Sequence, residues 1–450
     1  MAHQTSKSYL KLQERLNKSP QGAPPSEALF QILEILFSEK EADLASKLPM
    51  KLITVKKAAK RWKKTEEESR EILEGLADKG ILLDMHNGKE KNYVMAPTMA
   101  GFFEFSIMRA DGKFDRELLS KLYYQYINGE DAFVKQVLGQ MPTIARGFVH
   151  EDTIQEKDYS EVLDYERASN VIDTASCITV GTCYCRHKMK HVGKACDQPQ
   201  EVCLTFNNAA RSLSDHGIAK KISKKEAHKV LDECIKNGLV QIGDNVQDNV
   251  GFICNCCGCC CEALLAYKKL GSNMRVHTNF FAKFQDKNCT SCGLCEIKCP
   301  IDAIVMKEDK NGKKKPFIDK EKCLGCGVCS RYCATKDILM ERRDEVGFVP
   351  KDSFERFVMA AINEGKLQNL IFDNFGLWTN DQLNRLLAYI LSLKPVKRKL
   401  ASQQLQSKYI DKIAKTYYAL NKKLFKDKKK PDYSHAELKR GEASRSKSKE

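Results

Sequence analysis

The chain has 450 residues, 20 of them cysteine, and a formal net charge of +16 at pH 7. No stretch approaches the roughly 20 apolar residues of a membrane helix, and the polar N-terminus has no apolar signal core, so neither a membrane span nor export is predicted. Many cysteines without an export signal favour metal ligation over disulfides. We therefore predict a cytoplasmic protein of two to four domains from an anaerobic or microaerophilic cell.

The positive charge is concentrated near the C-terminus. Residues 394–450 contain 18 Lys and Arg against 6 Asp and Glu, so the rest of the chain is nearly balanced. The Lys- and Ser-rich residues 426–450 are predicted to be a disordered basic tail. Such a tail is usually a solvated end, although it could also dock an acidic redox partner or RNA.

A polar leader over residues 1–25 precedes three predicted helices. Ser26 is a favourable N-cap for the first helix, and Thr65 opens a capping box at the start of the third. Asn87 and Gly88 then predict the turn of a β-hairpin, because Asn-Gly between two short apolar runs is a strong hairpin signal. The predicted helices cover residues 27–37, 54–62 and 65–80.

Three helices followed by a hairpin is the order of a winged helix, and residues 26–96 resemble that family. The resemblance implies that the third helix would read DNA, which requires Arg, Lys, Asn or Gln there. The helix is acidic instead, and phosphate repels it, so we expect a docking or scaffold domain, with DNA binding as the alternative. Its charged residues are Glu66, Glu67, Glu68, Glu71, Glu74 and Asp78 against Arg70 and Lys79, with Lys60, Arg61, Lys63 and Lys64 just upstream.

Residues 97–170 are predicted to be a helical linker. Two aromatic runs lie within it, at residues 101–105 and 123–126. We interpret both runs as packing surfaces, because no motif around them indicates chemistry.

A Cys-rich metal or iron–sulfur module is predicted over residues 171–275, with two groups of thiols. The first group begins with a Cys-x-Cys-Arg-His segment, and nearby lysines favour the thiolate form. In the second group six thiols fall within eight residues, and leaving them free would invite oxidation. The two groups are Cys183, Cys185, Cys196 and Cys203, and then Cys254, Cys256, Cys257, Cys259, Cys260 and Cys261.

We interpret these ten cysteines as ligands of one or two additional iron–sulfur clusters, built by the two groups separately or jointly. A zinc ion in one group is the alternative, since zinc sites made of four cysteines tolerate varied spacing. Cys177 lies in an apolar context and is predicted to be a buried thiol. His187 is expected not to be a ligand.

The strongest signal lies in the predicted domain over residues 276–345, where one four-cysteine pattern occurs twice. Three thiolates two residues apart can hold three corners of an iron–sulfur cube, and the fourth, three residues on, reaches the other cluster. Gly293, Gly325 and Gly327 allow sharp turns close to sulfide. Zinc is the rival metal, but it would not need eight thiols in this order. The runs are Cys289, Cys292, Cys295 and Cys299, and then Cys323, Cys326, Cys329 and Cys333.

This pattern closely resembles a bacterial-type ferredoxin domain with two 4Fe-4S clusters. Two apolar segments, residues 303–306 and 338–340, are predicted to pair as strands and cover the clusters, and the insertion over 307–316 is predicted to be an exposed hairpin. Pro300 follows the first run, whereas Ala334 occupies the equivalent position after the second run. The resemblance implies crossed ligation, with cluster 1 on Cys289, Cys292, Cys295 and Cys333 and cluster 2 on Cys299, Cys323, Cys326 and Cys329.

Beyond the second run, residues 346–425 are predicted to be a helical extension. Amphipathic helices are expected at residues 354–362 and 379–393. The aromatic stretch that joins them, residues 372–378, could cover a cluster or bind a partner.

Together these features predict a multidomain α+β protein that resembles a group of ferredoxin-like proteins from anaerobic bacteria and archaea. That resemblance implies electron transfer between redox protein partners, as a carrier or a redox subunit. Two alternatives stay open: an iron–sulfur transcription regulator that senses redox state, and a reductase that acts on the upstream cluster. The chain has no GxGxxG loop, P-loop or flavin motif, so substrate chemistry would have to occur on the metal.

Overall fold

The structure is a computed structural model that describes residues 5–87, 90–109, 114–159, 162–271, 274, 276–372 and 377–405. Helices and antiparallel sheets both occur along these residues, which confirms the predicted α+β class. Gly88 of the predicted turn and the predicted tail over 426–450 lie outside the described residues. Within the described ranges, no helix is long and apolar enough to span a membrane.

The N-terminal region contains the predicted helices and hairpin, with two further helices. Ser26 accepts a hydrogen bond from the Leu29 amide, and both halves of the Thr65–Glu68 capping box are formed. The short strand β1 pairs with β3, which gives the sheet order β1-β3-β2. This order is compatible with a winged helix, and that assignment stays a prediction. The elements are α1 (Lys7–Lys18), α2 (Glu27–Leu36), α3 (Glu39–Ala45), β1 (Ile53–Thr54), α4 (Val55–Trp62), α5 (Glu66–Asp78), β2 (Leu82–Asn87) and β3 (Glu90–Met95).

The predicted leader is part of the packed structure. Its residues 7–18 form α1, an amphipathic helix that buries Tyr9, Leu12 and Leu16 in the same core as α2 and α3. The apolar residues of α1 recur at helical spacing, which indicates an amphipathic helix. The polar composition of the segment hides this pattern because the apolar residues are few. Residues 1–25 are therefore not a loosely attached segment where the structure describes them.

Residues 97–109 and 114–139 pack as helical turns around a cluster of aromatic rings. The rings of Phe103 and Tyr123 lie 4.8 Å apart, and Tyr123 also meets Tyr184 edge to face at 5.9 Å. These contacts confirm the aromatic runs as packing surfaces. The elements from this region up to the Cys-rich residues are α6 (Phe103–Met108), α7 (Arg116–Tyr123), α8 (Asp131–Phe133), β4 (Ala145–Gly147), α9 (Glu156–Tyr159) and α10 (Ala168–Thr174).

A six-stranded antiparallel sheet carries the Cys-rich residues. Its strand order is β4-β8-β9-β6-β5-β7, so one strand comes from the predicted helical linker. Leu204 of β6 pairs with Ile253 of β9, and Gly181 of β5 pairs with Cys203. The elements are β5 (Ile178–Thr182), α11 (Tyr184–His191), β6 (Glu201–Phe206), α12 (Asn207–Asp215), β7 (Lys220–Lys221), α13 (Lys224–Lys236), β8 (Val240–Asp244), β9 (Phe252–Cys256) and α14 (Glu262–Leu270).

The region that carries the two four-cysteine runs consists of two short helices and two antiparallel strand pairs. The two predicted apolar segments are strands, but they do not pair with each other: β13 pairs with β10, and β11 pairs with β12. The second pair forms the predicted exposed hairpin of the insertion. The elements are β10 (Phe280–Phe284), α15 (Leu294–Ile297), β11 (Ile304–Glu308), β12 (Lys314–Ile318), α16 (Val328–Tyr332) and β13 (Ile338–Arg342).

Four helices with their own small core follow. Trp378, from the predicted covering stretch, packs edge to face against Phe354 and stacks under the Lys51 ammonium, 3.7 Å from the ring centre. It therefore contacts the N-terminal region and not a cluster site, while residues 373–376 lie outside the described residues. The helices are α17 (Ser353–Asn363), α18 (Leu367–Phe372), α19 (Asn380–Ser392) and α20 (Pro395–Leu405).

Candidate metal centres

The structure brings the four cysteines of predicted cluster 2 to one small cavity. The cavity is lined by all four thiols together with Pro300, Ile304 and Met340, and the thiol contributed by the first run is Cys299. Gly325 closes one side with a positive φ of 75°. A Cβ there would lie 2.0 Å from the Phe280 carbonyl oxygen, so only glycine fits. The thiols are Cys299, Cys323, Cys326 and Cys329.

Backbone amides point at two of these sulfurs. The Ala282 N–H donates to Cys323 Sγ at 3.4 Å, and the Ala303 N–H donates to Cys299 Sγ at 3.2 Å. Hydrogen bonds to the sulfurs are one of the features that set cluster potentials. Burial raises the pKa of the Cys326 and Cys329 thiols, because an uncompensated thiolate is costly in this core. A bound cationic metal core would supply the missing compensation.

The four cysteines of predicted cluster 1 lie nearer to the surface. Cys292 is exposed, and the other three are half-buried. The Ser291 N–H donates to Cys289 Sγ at 3.5 Å. Cys333 comes from the end of α16 and packs in the same hydrophobic cluster as Cys295. The same cluster also contains Cys323 and Cys329, so the crossed assignment of Cys333 to cluster 1 stays a prediction.

The comparison with known families identifies this region. Residues 288–336 match the family model of the 4Fe-4S dicluster domain. This part of the chain is an iron–sulfur ferredoxin-type domain. The match supports 4Fe-4S cofactors and an iron–sulfur electron-transfer role. No similar protein was found among curated proteins or solved structures.

The ten upstream cysteines form two spatial sets that differ from the two groups in the sequence. Seven thiols line one cavity of about 100 Å³, and one of the seven, Cys257, also belongs to the tighter set described below. Cys261 Sγ lies 3.2 Å from Cys256 Sγ, and thiol-to-thiol hydrogen bonds connect the others into a continuous chain. We call the site formed by the six thiols other than Cys257 the six-thiol pocket: Cys183, Cys185, Cys203, Cys254, Cys256 and Cys261.

The sheet order explains how the six-thiol pocket is assembled. Cys183 follows β5, Cys203 lies in β6, and Cys254 and Cys256 lie in β9. Because β9, β6 and β5 are consecutive in the sheet, these thiols meet although up to 73 residues separate them along the chain. The two remaining thiols come from the starts of α11 and α14.

The other four thiols form a tighter set. The sulfurs of Cys196, Cys257, Cys259 and Cys260 all lie within 4.8 Å of one another. Among the described residues this is a group compact enough for a single metal ion. We call it the four-thiol set.

Arg186 lies between the two sets and is completely buried. Its Nη1 donates to the Asn255 carbonyl oxygen at 3.1 Å and lies 3.7 Å from Cys257 Sγ. Its Nε and Nη2 have no hydrogen-bond partner among the described residues. A buried guanidinium needs nearby negative charge, and thiolates around a metal centre would provide it. The pocket therefore fits an anionic, thiolate-ligated cluster, and the sequence offered no signal for this role of Arg186 beyond its place in the Cys-x-Cys-Arg-His segment.

A second buried charge pair fixes the helices that flank the pocket. Lys188 of α11 forms an ion pair with Glu262 of α14, and both side chains are inaccessible to solvent. Asn128 donates to the other Glu262 carboxylate oxygen at 2.7 Å. Because Glu262 directly follows Cys261, this pair positions a pocket thiol. His187 Nε2 lies 3.2 Å from His191 Nε2.

The segment that follows β9 packs against the cluster 2 side of the ferredoxin-type domain. A Cβ at Gly258 would lie 2.1 Å from the Pro300 carbonyl oxygen, so the two backbones touch there. Cys256 and Cys261 belong to the same hydrophobic cluster as Cys326. The ferredoxin-type domain is therefore packed onto the Cys-rich residues through its cluster 2 side.

Proposed function

We propose that the protein is an electron carrier or redox subunit with three iron–sulfur centres. Two would be 4Fe-4S clusters on the crossed sets of the ferredoxin-type domain, and the third would lie in the six-thiol pocket. Such centres supply one-electron uptake and release. The observation that carries the proposal is that Cys256 and Cys261 of the six-thiol pocket belong to the same hydrophobic cluster as Cys326 of the cluster 2 cavity, so both sites lie within one packed core.

Exposure supports cluster 1 as the side that a redox partner approaches. Two large apolar side chains on α15 flank Cys295: Leu294 is 39% exposed and Ile297 is 72% exposed. Val305 and Phe317, which pair across the insertion hairpin, are also exposed. Exposed apolar patches of this kind mark protein interaction sites. On the cluster 2 side, the described residues bury Cys323, Cys326 and Cys329 and half-bury Cys299.

The N-terminal region acts in this proposal as a scaffold. The end of α5 is anchored to the Cys-rich residues by Asp78, whose carboxylate lies 2.7 Å from His216 Nδ1. The next strand is anchored as well, since the Asp84 N–H donates to the Ser212 hydroxyl at 3.1 Å. The first turn of α5 remains exposed and acidic, which is unfavourable for DNA.

The test is to count iron, acid-labile sulfide and EPR-active centres in anaerobically purified protein. Two cubes alone would give about eight irons per chain, and a third cube would raise the count to about twelve. The variant Cys203→Ala removes a pocket thiol and should lose only the iron above eight. The matched variant Cys292→Ala should lose iron from the ferredoxin-type domain and keep the pocket centre. About eight irons in the wild-type chain would refute the third centre, and no iron after reconstitution would refute the whole proposal.

A further inference from the structure

We propose that the four-thiol set binds one zinc ion, separate from every iron–sulfur centre and structural in its role. The ligands are Cys196, Cys257, Cys259 and Cys260. This inference goes beyond the electron-transfer proposal and does not depend on it.

The sulfur-to-sulfur distances carry the argument. Cys196 Sγ lies 3.5 Å from Cys257 Sγ and 3.8 Å from Cys260 Sγ, and Cys259 Sγ lies 3.7 Å from Cys260 Sγ. A tetrahedral zinc ion with bonds of about 2.3 Å to sulfur places its ligands about 3.8 Å apart. In an iron–sulfur cube each thiolate binds a different iron atom, so its four cysteines must be spread around the whole cube. The four-thiol set matches a single ion.

Ligand type and number favour zinc. Four thiolates in a tetrahedron are the donor set of structural zinc sites, and they leave no coordination position for substrate or water. Arg186 supplies charge compensation outside the ligands, because its guanidinium reaches Cys257 Sγ. Zinc bound to four thiolates carries net negative charge, which this buried cation offsets.

The position of Cys196 explains what the ion would do. Cys196 lies in the loop over residues 192–200, whose side chains are mostly exposed and contribute no apolar core. That loop connects α11, which carries Cys185, to β6, which carries Cys203. A metal bond from Cys196 to the segment after β9 would fasten the loop and thereby hold two pocket thiols in place.

Two variants test the proposal, one in this loop and one in the strand that follows it. Zinc and iron per chain are measured on full-length protein purified anaerobically, in the wild type and in Cys196→Ala and Cys203→Ala. We expect about one zinc in the wild type, at least a fivefold loss of zinc in Cys196→Ala, and wild-type zinc in Cys203→Ala. Wild-type protein without zinc, or with iron in its place, would overturn the proposal, as would a Cys196→Ala variant that loses iron and keeps zinc.

A measurement on the unmodified chain covers the case in which Cys196→Ala does not fold. Zinc-edge X-ray absorption should give four sulfur neighbours at about 2.3 Å and no metal neighbour. Nitrogen or oxygen ligands, or an iron atom close to zinc, would contradict the assignment. The two proposals can be refuted independently. An iron count of about eight would refute the third iron–sulfur centre and would leave the zinc proposal unaffected.

Discussion

The two four-cysteine runs of the ferredoxin-type domain have the same spacing but different surroundings. In the second run Cys323, Cys326 and Cys329 are buried, whereas Cys292 in the first run is exposed. The segment around His150 packs on the second run, where the His150 N–H donates to the Cys326 carbonyl oxygen at 2.9 Å. The comparison shows that spacing decides which metal group is bound, while the rest of the chain decides what can reach it.

Gly293 and Gly327 occupy matching places in the two runs and show the same difference. Both have positive φ angles, 72° and 87°. A Cβ at Gly293 would meet nothing within 4 Å, but one at Gly327 would lie 2.4 Å from the Thr153 hydroxyl. Cluster potentials depend on solvent exposure and hydrogen bonding, so two centres with equivalent ligands are expected to differ in potential.

The largest expected effect comes from removing one predicted ligand from each four-cysteine run and comparing the two variants. Cys326→Ala should lose the cluster 2 iron and lower the free energy of unfolding by more than about 4 kcal/mol, because a metal is lost from a shared core. Cys292→Ala should lose cluster 1 with a much smaller effect on unfolding. Thermal unfolding and iron content measure both. Equal destabilisation by the two variants would show that the halves are equivalent.

The second prediction tests the contact that buries cluster 2. Gly258→Ala forces the backbone away from Pro300 and should cost about 1–3 kcal/mol and reduce the iron content. Gly312→Ala is the matched control in the exposed hairpin, since a Cβ there meets nothing within 4 Å although φ is 73°. Its strain of about 1–2 kcal/mol should leave the iron content unchanged. A Gly258→Ala chain with full iron content would mean that the contact is dispensable.

These two predictions also show where sequence analysis succeeds and where it stops. The eight cysteines of the ferredoxin-type domain are predictable because their spacing is local and repeated. The six-thiol pocket is not, since Cys203 and Cys254 meet only through the strand order of the sheet, which periodicity does not encode. The helix over residues 7–18 was missed for another reason: its few apolar residues, such as Leu12 and Leu16, are hidden in a polar composition.

The third prediction concerns metal removal. An iron chelator under mild oxidation should remove cluster 1 several times faster than cluster 2, because Cys292 is exposed whereas Cys323, Cys326 and Cys329 are buried. EPR of the reduced protein would follow the two signals over time. The Cys326→Ala variant assigns them, since it lacks one of the two. Loss of both signals at one rate would indicate that the whole domain opens together.

The smallest expected effect is electrostatic. Lys315 forms an ion pair with Asp286 beside Cys289, and that hydrogen bond raises the Lys315 pKa. Lys315→Met leaves the aspartate unpaired near cluster 1, so its reduction potential should fall by less than about 60 mV, a tenfold change in a one-electron equilibrium. The cluster 2 potential is the internal control in the same redox titration. A shift of cluster 2 alone would contradict the placement of Lys315.

The burial of the second run has a consequence for the order of biogenesis. Cys326, Leu324 and Val328 belong to the same hydrophobic cluster as side chains of the N-terminal region. Iron and sulfide would reach Cys323, Cys326 and Cys329 more easily before that core has closed, because all three are buried afterwards. We therefore expect maturation of cluster 2 to precede the last step of folding, and an iron-starved cell to accumulate a chain whose core, and not only its surface site, is incomplete.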